Sequence, residues 1–160
     1  MAMSGRYEPT SNFLRSLASG DVPLAGDAFA DANLMQLLES MWDTDRSNRD
    51  WAAFFLAKSD LDTQAVRDAL LRAARDDDEY VRAEAISGLA QRDGELALPY
   101  VRDALDAETV AVPIFEAAAL IAHPSLVERL RYWARPSDDR QLDRLALGAL
   151  RACEAGKDCG

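Results

Sequence analysis

The five residues Val66, Arg67, Asp68, Ala69 and Leu70 recur letter for letter as Val101, Arg102, Asp103, Ala104 and Leu105. Each copy is expected at the same place within a looser repeat of about 33 residues, because Asp45, Arg49, Ala52, Leu56 and Ala57 match Asp78, Arg82, Ala85, Leu89 and Ala90 at a constant offset of 33. Similarity at such a period marks an array whose units cannot bury their apolar faces alone and stack to make a core. A chain built by stacking is expected to act through a surface.

The 160 residues suffice for one domain, and an array of that length buries roughly two thirds of its unfolded surface. Apolar residues make up 49% of the chain and aromatic ones 8%. Alanine is prominent among them, which suits close helix packing rather than β-branched strand pairing. The expected class is all-α. With 28 acidic against 18 basic side chains the net charge is −10, which repels phosphate backbones and anionic membrane surfaces. Nucleic acid and membrane are therefore disfavoured as partners, and a basic protein is favoured. Sixteen of the 18 cations are arginine, the residue better suited to two-point and stacked contacts.

No N-terminal apolar core of signal-peptide length and no run of 18 apolar residues occurs, so the chain is expected to stay in the cytoplasm. In a reducing compartment the two cysteines are not expected to pair. Cys153 falls on the apolar stripe of Leu142, Leu145, Ala146, Ala149 and Leu150, whereas Cys159 lies in the terminal Gly156–Gly160.

Along the chain, residues 1–9 read as a disordered lead, 10–155 as one domain and 156–160 as a flexible tail. A short helix is expected from Ser11 or Asn12 to Leu17, then a loop over Asp21–Asp27. Capping helices are expected at 31–43, with Asp31 as its cap, and at 137–155, opened by Pro136, Ser137 and Asp138. Between them three hairpins span about 45–75, 76–105 and 106–134. Within each, the first (A) helix precedes the second (B). Ser59 or Asp62 is expected to start the first B helix, whose Val66, Ala69, Leu70, Ala73 and Ala74 follow the spacing of one buried face. The acidic run Asp76–Glu79 suits the positive end of a helix. Pro99 and Pro124 fit first-turn positions. In the third hairpin Pro113 and Ile114 replace Val81 and Arg82 of the second, which predicts a kinked or late-starting helix.

The stretch Asp78-Glu79-Tyr80-Val81-Arg82-Ala83-Glu84-Ala85-Ile86-Ser87-Gly88-Leu89-Ala90 resembles the A helix of HEAT repeats, in particular the short HEAT-like repeats first named from phycobilisome lyases. The likeness covers about Asp45–Ala134, is strongest in the second hairpin and degrades in the third. It implies an α-solenoid with a concave face made mostly of B helices, used to hold proteins. It also implies a structural ladder, in which Asp45, Arg49, Asp78 and Arg82 tie helix ends and adjacent repeats together. The arginine lost at Ile114 interrupts that ladder.

The candidate contact positions are polar and aromatic residues beside the buried stripes: Arg67, Asp68, Arg102, Asp103, Glu128, Arg131, Tyr132 and Trp133. Arginine and aromatic side chains most often dominate interface energy, although a repeated Arg-Asp pair also reads as a solvated helix face, and Trp133 as core. Catalysis is not expected. The single histidine, His123, sits before Pro124 at a helix junction, and no nucleophile with a base, phosphate loop or cofactor-binding set accompanies it. Asp76–Glu79 lacks the glycine and alternation of a calcium loop, and two cysteines alone make no zinc site. Trp42, Trp51, Phe54 and Phe55 read as the seam to the N-terminal capping helix. The functional readings are then a protein-binding adaptor, an acidic immunity or inhibitor protein masking a basic toxin or nuclease, and an accessory to a lyase-type enzyme. A HEAT-like DNA glycosylase would need a basic channel that the charge speaks against.

Overall fold

The computed structural model describes residues 8–26 and 28–156. Among these residues the chain is all-α, with helices α1 (Asn12–Ala18), α2 (Ala30–Ser40), α3 (Arg46–Lys58), α4 (Gln64–Ala73), α5 (Glu79–Arg92), α6 (Gly94–Leu105), α7 (Val112–Ile121), α8 (Val127–Trp133) and α9 (Arg140–Gly156). A 3₁₀ turn, Pro124–Leu126, leads into α8. The pairs α3–α4, α5–α6 and α7–α8 form three hairpins of an α-solenoid; α1 and α2 lie against α3, and α9 covers α7 and α8.

The A helices α3, α5 and α7 pack directly on one another, and α9 continues their row. Small side chains permit this. Ala52, Ala53, Ala57, Ala83, Ala85, Ala117 and Ala118 are all buried, and a Cβ on Gly88 would lie only 3.0 Å from that of Ala57. The larger side chains Leu56, Leu70, Val81, Leu89, Val101, Phe115, Leu126 and Leu130 fill the space between the A and B rows. Helices α4 and α6 rest on A helices and α8 rests on α9, while successive B helices touch one another far less. Open grooves follow from that spacing.

Helices α3, α5 and α7 begin at Arg46, Glu79 and Val112, 33 residues apart each time. The third A helix is thus neither late nor displaced: Pro113 occupies its first turn, where the missing amide hydrogen costs nothing. The B helices do not keep that register. Val66 is the third residue of α4, whereas Val101 is the eighth of α6, so one pentapeptide sits in the middle of its helix and its twin forms the last five residues of the other. Asp93 is the cause. It ends α5 and, by accepting the Leu96 amide at 3.0 Å, caps α6 at once, while a separate loop precedes α4.

Other helix starts also differ from expectation. Phe29, not Asp31, stands at the N-cap of α2, and Asp31 lies in its first turn. Thr63, rather than Ser59 or Asp62, caps α4. Pro99 is interior to α6 because that helix starts at Gly94, so the Glu95 carbonyl lacks its helical donor. Asp139 accepts the Gln141 and Leu142 amides, both at 3.0 Å, and opens α9 later than Pro136–Asp138 would. Ser11 caps α1. Of the expected disordered lead, residues 1–7 lie outside the described residues, and Pro9 is buried with its carbonyl accepting Arg15 Nε at 2.9 Å. Asp27 and Cys159 also lie outside them. Cys153 is buried and its thiol donates to the Ala118 carbonyl at 3.5 Å, with desolvation pushing the thiol above its ordinary range.

Candidate functional site

The loops that join one hairpin to the next are built on a recurring hydrogen-bond pattern. Asp45 Oδ1 accepts the Ser47 amide at 2.8 Å and Asp78 Oδ1 accepts the Tyr80 amide at 3.0 Å, each carboxylate capping its A helix. Two residues earlier, Asp43 and Asp76 accept the amides of Asp45 and Asp78. Arg49 then donates to the carbonyls of Asp43 and Thr44, and Arg82 to those of Asp76 and Asp77 at 2.7 and 2.9 Å. Arg82 thus bonds backbone carbonyls of its loop and does not pair with the Asp78 carboxylate. Asp78 is occupied by its helix and by Arg46 at 3.2 Å.

Between repeats the rung is Arg49 Nε to Asp76 Oδ2 at 3.0 Å, with Asp77 at 3.4 Å. Burial alone would raise the Asp76 carboxyl, but the Asp78 amide and Arg49 outweigh it and hold that group below the usual range. At the third hairpin the rung becomes neutral to anionic, Thr109 Oγ1 donating to Glu79 at 2.9 Å, and Ile114 is buried where an arginine would be needed. A further tie has no repeat counterpart. Arg92 donates to the carbonyls of Leu56, Ser59 and Leu61 at 2.8 to 2.9 Å and to Ala57 at 3.4 Å, closing the C-terminus of α3 from α5. Desolvation, with no carboxylate in contact, lowers the Arg92 guanidinium.

These ties set the walls of two grooves on the B-helix side. The first, about 700 Å³, runs between α4 and α6 over α5 and is lined by Arg75, Arg82, Glu95, Leu96, Tyr100 and Asp103 among others. Arg75 lies 5.9 Å from the Tyr100 ring centre and donates to its hydroxyl at 3.2 Å. The second, about 510 Å³, runs between α6 and α8 and is lined by Leu105, Asp106, Glu108, Glu128, Arg129, Tyr132 and Trp133. A depression of about 520 Å³ on the A-helix side carries Lys58, Gln91, Glu116 and the exposed Leu120. Among the described residues no group of acids, histidine or cysteine is placed to hold a metal, and no helix is long and apolar enough to cross a membrane.

The eight candidate contact residues divide between groove and framework. Asp103 lines the first groove; Glu128, Tyr132 and Trp133 line the second. Trp133 also has a core role, its indole N–H donating to the Leu105 carbonyl at 2.8 Å and its ring meeting Phe115 edge-on. Arg67 is held by Asp62 at 2.7 Å and Asp93 at 3.3 Å, which raises its own affinity for the proton and lowers that of Asp62. Asp68 takes a bond from Gln64, Arg102 leans on Ser125, and Arg131 spans Glu128 and Glu154. Tyr100, Arg75, Glu108 and Arg129 complete the grooves and were not singled out from sequence. One signal pointed to Tyr100: it precedes Trp133 by the repeat length of 33. The seam reading fails for Trp42, which is 44% exposed with the Arg72 guanidinium 3.7 Å from its ring centre, while Trp51, Phe54 and Phe55 do cluster on α3.

Residues 32–122 match the family of HEAT repeats. Protein YibA of Escherichia coli, from strain K12 and from O157:H7, is 30% identical over 120 residues, which is 75% of this chain and 43% of the relative. The chain thus spans less than half the length of the curated relatives it matches. The X-ray structure of the Escherichia coli YibA superposes with a TM-score of 0.63 at 26% identity, covering 89% of this chain and 50% of that one.

Proposed function

The chain belongs to the HEAT-repeat family, and from that membership we propose that it is a non-catalytic protein-binding module whose contact surface is the pair of grooves on the B-helix side. The observation that carries the reading is the recurrence of the groove: two furrows between successive B helices, each with an aromatic residue, an arginine and carboxylates on its walls. Aromatic and arginine side chains set beside a firm apolar floor are the usual source of binding energy at protein interfaces. Repeat proteins offer such surfaces because each unit contacts only its neighbours and leaves one side unfilled.

The test compares the two sides of the molecule. Tyr132→Ala combined with Asp103→Lys alters the B side; Leu120→Glu combined with Glu116→Lys alters the A side. Tagged protein carrying each pair is used to capture partners from lysate of the native organism, and circular dichroism checks the fold. Loss of capture by the first pair alone supports the B side; loss by the second alone relocates the site to the A helices.

A second reading, an immunity or inhibitor protein that masks a basic toxin or nuclease, is favoured by the net charge of −10. Complementary charge speeds association and makes it salt-sensitive. It predicts a single basic partner released at high salt. The lyase-accessory reading would call on an exposed cysteine; Cys153 is buried in the core, which leaves Cys159, outside the described residues, as its candidate.

A further inference from the structure

The two grooves differ in charge, and the difference bears on what each accepts. In the α4–α6 groove two arginines, Arg75 and Arg82, face two acids, Glu95 and Asp103, and Arg75 donates to the Tyr100 hydroxyl. The α6–α8 groove has three acids, Asp106, Glu108 and Glu128, against one lining arginine, Arg129. Asp106 holds Arg129 at two points, 2.7 and 3.0 Å. Glu128 shares Arg131 with Glu154, and Glu108 has no partner among the described residues. The groove also meets the C-terminus of α6, whose carbonyls add partial negative charge. Tyr132 remains 59% exposed although Arg135 lies 5.1 Å from its ring centre.

We propose that the α6–α8 groove receives an arginine side chain from an extended basic segment of the partner protein, an inference that rests on the protein-binding reading above. A guanidinium fits this wall better than an ammonium does. It bonds carboxylates at two points, as Arg129 does to Asp106, and its flat face stacks on an aromatic ring such as Tyr132. The charge excess of the groove favours a cation, and that of the whole chain steers one towards it.

The experiment uses a short probe, the blocked peptide Gly-Arg-Arg-Gly, titrated into isotope-labelled full-length protein with lysine and glutamate versions as comparisons. The assigned Trp133 indole N–H reports the groove from its floor. The arginine peptide is expected to shift that signal, more tightly than the lysine peptide, and the glutamate peptide is expected to leave it in place. Replacing Glu108→Gln together with Glu128→Gln is expected to weaken the arginine peptide by about tenfold, the loss of one or two exposed charged contacts. No shift at Trp133, or equal affinity in the double variant, overturns the proposal. If capture of a partner protein depends on Tyr132 yet the peptide gives no shift, the protein-binding reading stands and the arginine assignment falls. If capture ignores the B side altogether, both fall.

Discussion

The first two hairpins and the third solve the same packing problem with different chemistry. Between α3 and α5 the link is charged and rich in bonds: Arg49 bridges to Asp76, Arg46 to Asp78, and Arg92 reaches back to the carbonyls that end α3. Between α5 and α7 the bond at the corresponding loop is the neutral-to-anionic one from Thr109 to Glu79, and α7 has no side-chain cap. Yet α7 sits in register and its Ile114, Phe115, Ala117 and Ala118 are buried. Apolar burial therefore suffices to stack a repeat, and the charged ladder sets how firmly the loop at that edge is held. The contrast reaches the grooves. Where the ladder is complete, the groove above it balances its own charge; beyond it, carboxylates are left in excess.

The largest expected effect comes from removing the tie that the third hairpin lacks. Arg92→Ala strands the carbonyls of Leu56, Ser59 and Leu61 and removes a cation from the C-terminus of α3, and should cost about 3 kcal/mol by urea denaturation. A change below about 1 kcal/mol would mean that water replaces the guanidinium without loss. Next, Arg49→Ala should cost about 2 kcal/mol, and Arg82→Ala about 1 kcal/mol. Arg49 serves carboxylates as well as carbonyls and is 16% exposed, whereas Arg82 serves carbonyls alone. Equal losses would remove the distinction between a rung that joins repeats and a brace within one loop.

The prolines sharpen the same contrast. Pro113 lies in the first turn of α7, where no helical bond is lost, so Pro113→Ala should cost at most about 0.5 kcal/mol, from added freedom of the unfolded chain. Pro99 lies inside α6, and Pro99→Ala should raise stability by about 1 kcal/mol by restoring a donor to Glu95. Thermal unfolding of the two variants in opposite directions would establish which proline the array merely tolerates.

The A helices were legible in register and the B helices only in part: the stripe Val66, Ala69, Leu70, Ala73 and Ala74 is buried as expected, but α4 and α6 start elsewhere than the repeat suggests, for a physical reason. Neighbouring A helices touch along their length, so small residues must recur at one spacing; Ala52, Ala57, Ala85 and Ala90 do so. A B helix is bounded by loops of unequal length, and Asp93 serves two helices with no loop at all. Identity of two pentapeptides is then compatible with different positions in the helix. At the site, Asp103, Glu128, Tyr132 and Trp133 stood out as polar or aromatic residues beside apolar stripes. Arg67, Arg102 and Arg131 did so equally, but each is also tied to a residue more than 20 positions away, Asp93, Ser125 and Glu154, beside the local partners Asp62 of Arg67 and Glu128 of Arg131. Arg92 left no trace, since its partners are backbone carbonyls and these have no letter in a sequence.

The smallest expected effect separates the regions by acid. Asp45, held below its usual range by Ser47, and Asp76, held there by the Asp78 amide and Arg49 against the effect of burial, both sit on the ladder of the first two hairpins. A carboxyl depressed in the folded state contributes stability that is fully present above its unfolded value, about 3.9, and that is lost as pH falls through the lower folded value. Hydrogen-exchange protection of the Ser47 and Asp78 amides, which these two carboxylates accept, should therefore fall below about pH 4 before that of amides in α7. Asp76→Asn should remove much of the difference at α5, because the amide keeps an acceptor for the Asp78 amide but no longer ionises. Loss of protection at both places together would show that acid unfolds the array as one unit, and that the ladder braces its loops without making them the first part to open.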